Sequence, residues 1–419
     1  MAAAPDTFPT PAAVAQPPVR RSALPAWLWP ESGAVSPIPA LDGLRALAVL
    51  LVLLFHAWTF VPGYLLKGQD PSQYAIFYGK TGVQLFFVLS GFLLFQPYTE
   101  WAFGLRPRPA TLLFYKRRAL RVGPAYWVSL LLLVLAGPLT LAALKDLALH
   151  LVFLSNTTWE TTFSINGVYW TMAIEVQFYA LLPALGWVLW ALARRMGVLR
   201  STSVLLSILL VISLLSHALG NVSALNTLPV VSSALLNYSA MPYWLAVFGC
   251  GIGCSVFFTY LKKVAHLKKT QASRLPGIFT RIFWLGVLLA LALAFVPALH
   301  ALFALDLWFG VVYAGLLAGV LFGAPILRKP FESRVMRFVG LTSYSFYIWH
   351  RVVLHVLAPH LHLLHLSVPL QVVVLFVVGA IASAAVAYGS YQVLERPFIS
   401  ARKQAHEPAP VQPPDTPAE

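Results

Sequence analysis

A chain of 419 residues that is 59% hydrophobic and only 10% charged is neither an ordinary soluble globule nor a disordered polymer. Its formal net charge of +15 would suit a nucleic-acid partner only if the basic residues covered one soluble face. They fall instead between apolar runs, so the charge reports membrane topology and no nucleic-acid partner is expected.

Residues 1–40 are rich in Pro and Ala and are expected to form a disordered cytoplasmic tail. The first apolar run comes too late and is too long for a secretory signal peptide. From there the hydropathy predicts an all-α, polytopic membrane domain over residues 41–398, with about ten transmembrane helices. The spans are placed near 42–62, 81–98, 120–137, 168–190, 203–219, 238–258, 281–298, 303–323, 338–358 and 369–393. A short polar tail, 399–419, follows.

Charge tests the topology. With the N-terminus in the cytoplasm, the inner loops hold Arg106, Arg108, Lys116, Arg117, Arg118, Arg194, Arg195 and Arg200. Further along they hold Lys262, Lys263, Lys268, Lys269, Arg274, Arg328, Lys329, Arg334 and Arg337. The outer loops hold only Lys67, Lys80 and Lys145. Such a bias predicts both termini inside and a multi-pass protein of the inner (cytoplasmic) membrane. Leu147–Leu154 is apolar but too short to span, and is expected to be a re-entrant or interfacial piece of a long outer loop. Cys250 and Cys254 lie one helical turn apart beside Gly249 and Gly253, which suits close helix packing rather than a disulfide framework or a zinc site.

Several ionisable residues lie inside these apolar runs, where a charge needs a reason. Arg45 and His56 are eleven residues apart in the first span, within roughly 20° on one helix face and about 16 Å apart along the axis. Ser90-Gly91 in the second span permits close backbone approach. Arg118 and Arg121 share a helix face at the inner surface and could grip phosphate in bidentate fashion, with amides of a helix start beside them. Glu175 lies roughly 10 Å inside the fourth span, a depth similar to that of His56, so a carboxylate–imidazole pair is expected. The rival for that pair is a structural contact between helices. In the ninth span Ser343, Tyr347 and His350 lie near one another, and Arg351 follows on the face of Tyr347. Arg351 is free to snorkel outward, to pair with Glu175 or to hold an anionic acceptor. His355, His360, His362 and His365 come next, without the tight spacing or nearby carboxylate of a metal site, so no metal is expected.

Taken together, these motifs resemble acyltransferase family 3, the integral-membrane acyltransferases that include O-antigen and exopolysaccharide O-acetylases and macrolide acyltransferases. The resemblance covers about residues 40–398. It rests on Leu-Asp-Gly-Leu-Arg at 41–45 with His56, Phe86 to Gly91, Arg118 with Arg121, Tyr169 to Pro183, Ser343 to His350, and Glu395-Arg396-Pro397-Phe398. It implies transfer of an acyl group, usually acetyl, from cytoplasmic acyl-CoA to a hydroxyl of a saccharide, a lipid-linked glycan or a macrolide. By the same resemblance Arg45, His56 and Glu175 are catalytic, and Arg45, Arg118 and Arg121 hold the donor. Val176 stands where the family commonly has a second carboxylate, and Arg351 where it often continues with apolar residues.

The expected mechanism follows. CoA phosphates rest on Arg45, Arg118 and Arg121, the pantetheine arm runs toward His56, and His56 is the general base, oriented by Glu175. Ser90, Tyr169, Tyr347, His350 and Arg351 are the acceptor-side or supporting residues. Acyl-CoA is a substrate, and no permanently bound cofactor is expected. The alternative is a polytopic transporter of a small polar solute or lipid-linked glycan.

Overall fold

In a computed structural model the described residues are 38–61, 76–138, 140–220, 235–236, 238–267, 275–296, 299 and 305–398. The two tails fall almost wholly outside them. Among the described residues the chain is helical, with no strand. The principal helices are α1 (Pro39–Thr59), α2 (Gly82–Ala102), α3 (Thr111–Leu135), α4 (Leu141–Leu151), α5 (Tyr169–Met196) and α6 (Val198–Gly220). They continue as α7 (Met241–Leu267), α8 (Leu275–Phe295), α9 (Leu305–Phe322), α10 (Arg334–Leu341), α11 (Ser343–Leu357) and α12 (Val368–Ser390).

Every predicted span meets a helix. Eight of the described helical segments are long and apolar enough to cross a membrane, and α9 is a shorter apolar helix. The ninth predicted span is two helices. It breaks at Thr342, whose hydroxyl donates to the Phe338 carbonyl at 3.1 Å, leaving α11 with 15 residues. At 1.5 Å per residue that is about 22 Å, less than a full bilayer core. The preceding piece, α10, starts on an N-cap in which Ser333 accepts from the Met336 amide at 3.4 Å. It packs along α1, where Gly340 lies against the Asp42 backbone and Gly43 against that of Phe331.

Burial distinguishes the middle of the bundle from its rim. Within their most apolar windows α1 and α7 are 61% buried and the segment Tyr78–Ala102 is 72% buried, against 22% for α8 and 28% for α6 and α12. The central trio is thus α1, α2 and α7. A Cβ on Gly91 would fall on the Phe248 carbonyl and one on Gly251 on the Val88 carbonyl, so α2 and α7 touch backbone to backbone. The Gly91 expectation holds. The backbone-to-backbone contact of α7 is at Gly251, however, rather than at Gly249 and Gly253, which meet only leucine side chains of α6, Gly249 at ordinary distances and Gly253 more tightly. Both cysteines are free thiols on the same helix.

The apolar stretch before the fourth long helix is α4, capped by Thr140, which accepts from the Ala143 amide at 3.1 Å. Leu141, Leu144 and Leu151 are exposed on it, as Val152 and Leu154 are just beyond, while His150 is buried and its carbonyl accepts from Tyr126 at 3.1 Å. An apolar outer face on so short a helix fits an interfacial position.

Candidate functional site

The site is built outward from α1. Pro39 lies at its start, and Asp42 in the first turn is fully buried and pairs with Arg45 at 3.5 Å. Eleven residues on, His56 reaches a different part of the interior. The stripe predicted from sequence is therefore real as a feature of one helix, but its two ends open into two cavities.

The basic cavity encloses about 820 Å³, open mouth included, between α1, α2, α3, α5 and α11. Arg45, Arg118 and Arg121 line it together with Ser90, Glu175, Tyr179 and Tyr347. Arg121 is held by Glu395 at 2.8 Å, and Glu395 is fully buried and also accepts from Ser345 at 2.5 Å. A π-helical segment, Tyr391–Glu395, carries this carboxylate at the end of α12. Arg118 makes no ion pair within 4.0 Å among the described residues, so it is the arginine of the three most open to an incoming anion. It sits seven residues inside α3, which begins at Thr111, so the orphan amides of that helix start are about two turns away. The expected contribution of those amides to an anion clamp is corrected accordingly.

Glu175 belongs to this basic cavity. Its Oε1 accepts from Ser90 at 2.8 Å and from Tyr179 at 2.5 Å. It does not hydrogen-bond to His56, which lines the other cavity. The expected carboxylate–imidazole pair is corrected on this point: similar depth on two helices did not bring the two groups onto facing sides. Ser90 likewise turns toward Glu175 rather than to an acceptor.

The second cavity encloses about 1,130 Å³, open space included. His56 lines it with Phe55, Lys80, Gln84, Asp306 and a wall of Trp170, Tyr238, Tyr243 and Trp244. Val83 and Tyr347 line both cavities and form the partition between them. Tyr347 is fixed there by a 2.7 Å hydrogen bond shared with Thr171. Behind it, α11 is tied to α3 by Tyr344, whose hydroxyl donates to the Val122 carbonyl at 2.6 Å.

His56 has a partner the sequence did not single out as such. The His350 ring lies 5.2 Å from it, centroid to centroid. His350 is fully buried, and its Nδ1–H donates to the Tyr347 carbonyl at 2.7 Å, which fixes the tautomer and leaves Nε2 without a hydrogen-bond partner. Arg351 does not reach Glu175. Its guanidinium packs on Gly167, where a Cβ would displace it, and over the Phe60 ring at 5.8 Å. Tyr169 lines neither cavity: it is fully buried and shares a 2.8 Å hydrogen bond with Ser129, which fits the supporting rather than the acceptor-side half of its expected role.

Sequence reasoning passed over Lys80, Gln84, Tyr243, Asp306, Trp170 and Trp244. Lys80, expected in an outer loop, lies in the turn Tyr78–Thr81 and faces the second cavity. Asp306 carried a usable signal, because it is a carboxylate at the start of an apolar helix. Among the described residues no three His, Cys, Asp or Glu converge as metal ligands.

These features define a multi-pass membrane protein with a basic cavity and a histidine-lined cavity divided by one tyrosine and one valine. The profile of an acyltransferase domain, acyltransferase family 3, matches residues 38–390, and the chain belongs to that family. It is 27% identical over 324 residues to a putative acetyltransferase, ORF330, of Acidianus two-tailed virus, covering 74% of this chain and 82% of that protein. It is 25% identical over 376 residues to the peptidoglycan O-acetyltransferase OatA of Listeria monocytogenes, covering 82% of this chain and 54% of OatA. A third relative, nodulation protein 10 of Rhizobium leguminosarum, is 30% identical over 169 residues, covering 34% of this chain and 43% of that protein. The chain thus spans only about half of the last two relatives. No solved structure matches it.

Proposed function

We propose that the protein is a membrane O-acetyltransferase that moves an acetyl group from acetyl-CoA to a hydroxyl of a saccharide acceptor. The observation that carries this reading is the pair of cavities meeting at Tyr347 and Val83, one lined by three arginines and the other by His56. The family and the O-acetyltransferase relatives support the reaction class.

In this reading Arg118 takes a phosphate of CoA, with Arg45 and Arg121 beside it, because guanidinium grips phosphate through paired donors. The thioester arm then extends past Tyr347 toward His56. The acceptor occupies the histidine cavity. His56 removes the proton of the acceptor hydroxyl as its oxygen attacks the thioester carbonyl. The carbon–sulfur bond breaks, the acetyl ester remains on the acceptor, and the proton passes from the imidazolium to the departing CoA sulfur. His350, with Nδ1–H fixed on a backbone carbonyl, supports His56 from the side. Glu175 acts in the donor cavity, where a carboxylate among three arginines limits their mutual repulsion. Acetyl-CoA is expected to be a cytoplasmic donor, with both termini and the arginine end on that side of the inner membrane.

The test uses the full chain in lipid nanodiscs with radiolabelled acetyl-CoA. Saturable CoA binding that depends on Arg118, with label transferred to a hydroxylated saccharide fraction of the cell envelope, is the expected result. Failure to bind CoA, or movement of a solute across a vesicle with no acetyl transfer, would replace this reading with a transporter.

A further inference from the structure

The histidine cavity contains a polar cluster that the chemistry at His56 does not use. Asp306, in the first turn of α9, accepts from Gln84 Nε2 at 2.7 Å and from the Tyr243 hydroxyl at 2.8 Å. The Lys80 ammonium sits over the Phe77 ring at 4.0 Å and within electrostatic reach of Asp306. Gln84 is 2% exposed and lines the cavity, and its Oε1 has no hydrogen-bond partner. A buried carbonyl oxygen left unpaired inside a protein is uncommon and asks for a donor from elsewhere. An aromatic wall completes the cavity, with Trp170 5.2 Å from Tyr238 and 6.1 Å from Trp244 between ring centroids.

We infer that Gln84, Asp306 and Lys80 form an anchoring subsite for a neutral saccharide, binding ring hydroxyls other than the one that His56 deprotonates. This rests on the O-acetyltransferase reading for the role of His56 and adds to it the groups that choose the acceptor. Three features specify the ligand class. Donors and acceptors stand side by side, with Gln84 Oε1 to accept a hydrogen bond from a hydroxyl and Lys80 to donate one, which matches groups that do both. The Lys80 and Asp306 charges offset each other, so an anion would meet Asp306 and a cation would meet Lys80, and an uncharged polyol meets neither penalty. The Trp170–Trp244 wall offers flat apolar area to the C–H face of a sugar ring, as concave sites commonly do with a few polar groups fixing orientation.

The experiment is binding, read by tryptophan fluorescence and calorimetry on the full chain in nanodiscs. The neutral probes are the methyl β-glycosides of glucose, galactose and N-acetylglucosamine, with choline and glucuronate as charged comparators. The expected result is saturable binding of at least one neutral glycoside. Gln84→Leu and Trp170→Ala should each weaken it by about tenfold or more while CoA affinity stays unchanged. Asp306→Asn should weaken it as well, and Gln84→Leu carries the test if the Asp306 variant does not fold. The subsite is overturned if no neutral glycoside binds, if a charged comparator binds more tightly, or if Gln84→Leu binds as the unaltered chain does. Glycoside binding that depends on Gln84 in a protein that binds no CoA would sustain the subsite while removing the acetyl-CoA reading.

Discussion

His56 on α1 and His350 on α11 lie ring beside ring, 5.2 Å apart and tilted by 42°, and the second is locked by a hydrogen bond to the backbone of its own helix. A base with a neutral, oriented neighbour behaves differently from one paired with a carboxylate. Among the described residues no carboxylate pairs with His56 within 4.0 Å, so in this reading His56 has to hand its proton on promptly. His56→Ala should therefore lower turnover by on the order of 10²–10⁴ with CoA binding intact, since the lost interaction belongs to the transition state. His56→Gln keeps size and hydrogen bonding without basicity and should fail nearly as badly. Activity should also fall on the acidic side, because a protonated imidazole cannot accept the hydroxyl proton. Turnover per folded enzyme measures this, and near-normal turnover in His56→Gln would remove the base assignment.

Glu175 supplies a contrasting case. Its hydrogen bonds run to Ser90 and Tyr179 in the arginine cavity. Glu175→Gln should change the apparent KM for acetyl-CoA and leave the acidic limb of the pH profile where it was. A carboxylate acting directly on His56 would move that limb to lower pH when lost. A pH–rate profile of the variant decides between them.

The two clamp arginines should also separate. Arg118→Ala removes a cation that makes no ion pair among the described residues, so KM for acetyl-CoA should rise by about tenfold or more with thermal stability unchanged. Arg121→Ala strips the partner from the fully buried Glu395, and uncompensated buried charge typically costs about 3–5 kcal/mol. That variant should lose melting temperature as well as donor affinity, and Arg121→Ala combined with Glu395→Gln should recover part of the stability. Equal melting temperatures for the two single variants would contradict the assignment.

Packing in the central trio gives a stability prediction free of any catalytic assumption. Gly251→Val pushes a side chain into the Val88 carbonyl and should cost about 1–3 kcal/mol or prevent accumulation of folded protein. Gly249→Ala, two residues away, meets only the Leu206 and Leu209 side chains at 3.5 Å or more and should be tolerated. Detergent thermal melts of the pair check it, and equal sensitivity would place the α2–α7 contact elsewhere.

Much of this was legible in one dimension. Hydropathy alone marks the helices, because a backbone in lipid must satisfy its own hydrogen bonds and apolar runs of bilayer length have one solution. Arg45, His56, Arg118, Arg121, Glu175 and His350 all stand out as polar groups where burial is expensive. Sequence spacing fixes which of these share a face within a helix, and the Arg45–His56 stripe survives as such. It does not fix how one helix is rotated against another. That rotation is set by close contacts such as Gly91 and Gly251, and by α10 lodging its Gly340 on the Asp42 backbone. Only the tertiary structure could therefore turn Glu175 toward Ser90 and away from His56, bring His350 beside His56 across some 300 residues of chain, and stand Tyr347 between two cavities. Depth in the membrane is a property each residue carries along its own helix, whereas partnership depends on the azimuth of two helices at once, which side-chain packing decides.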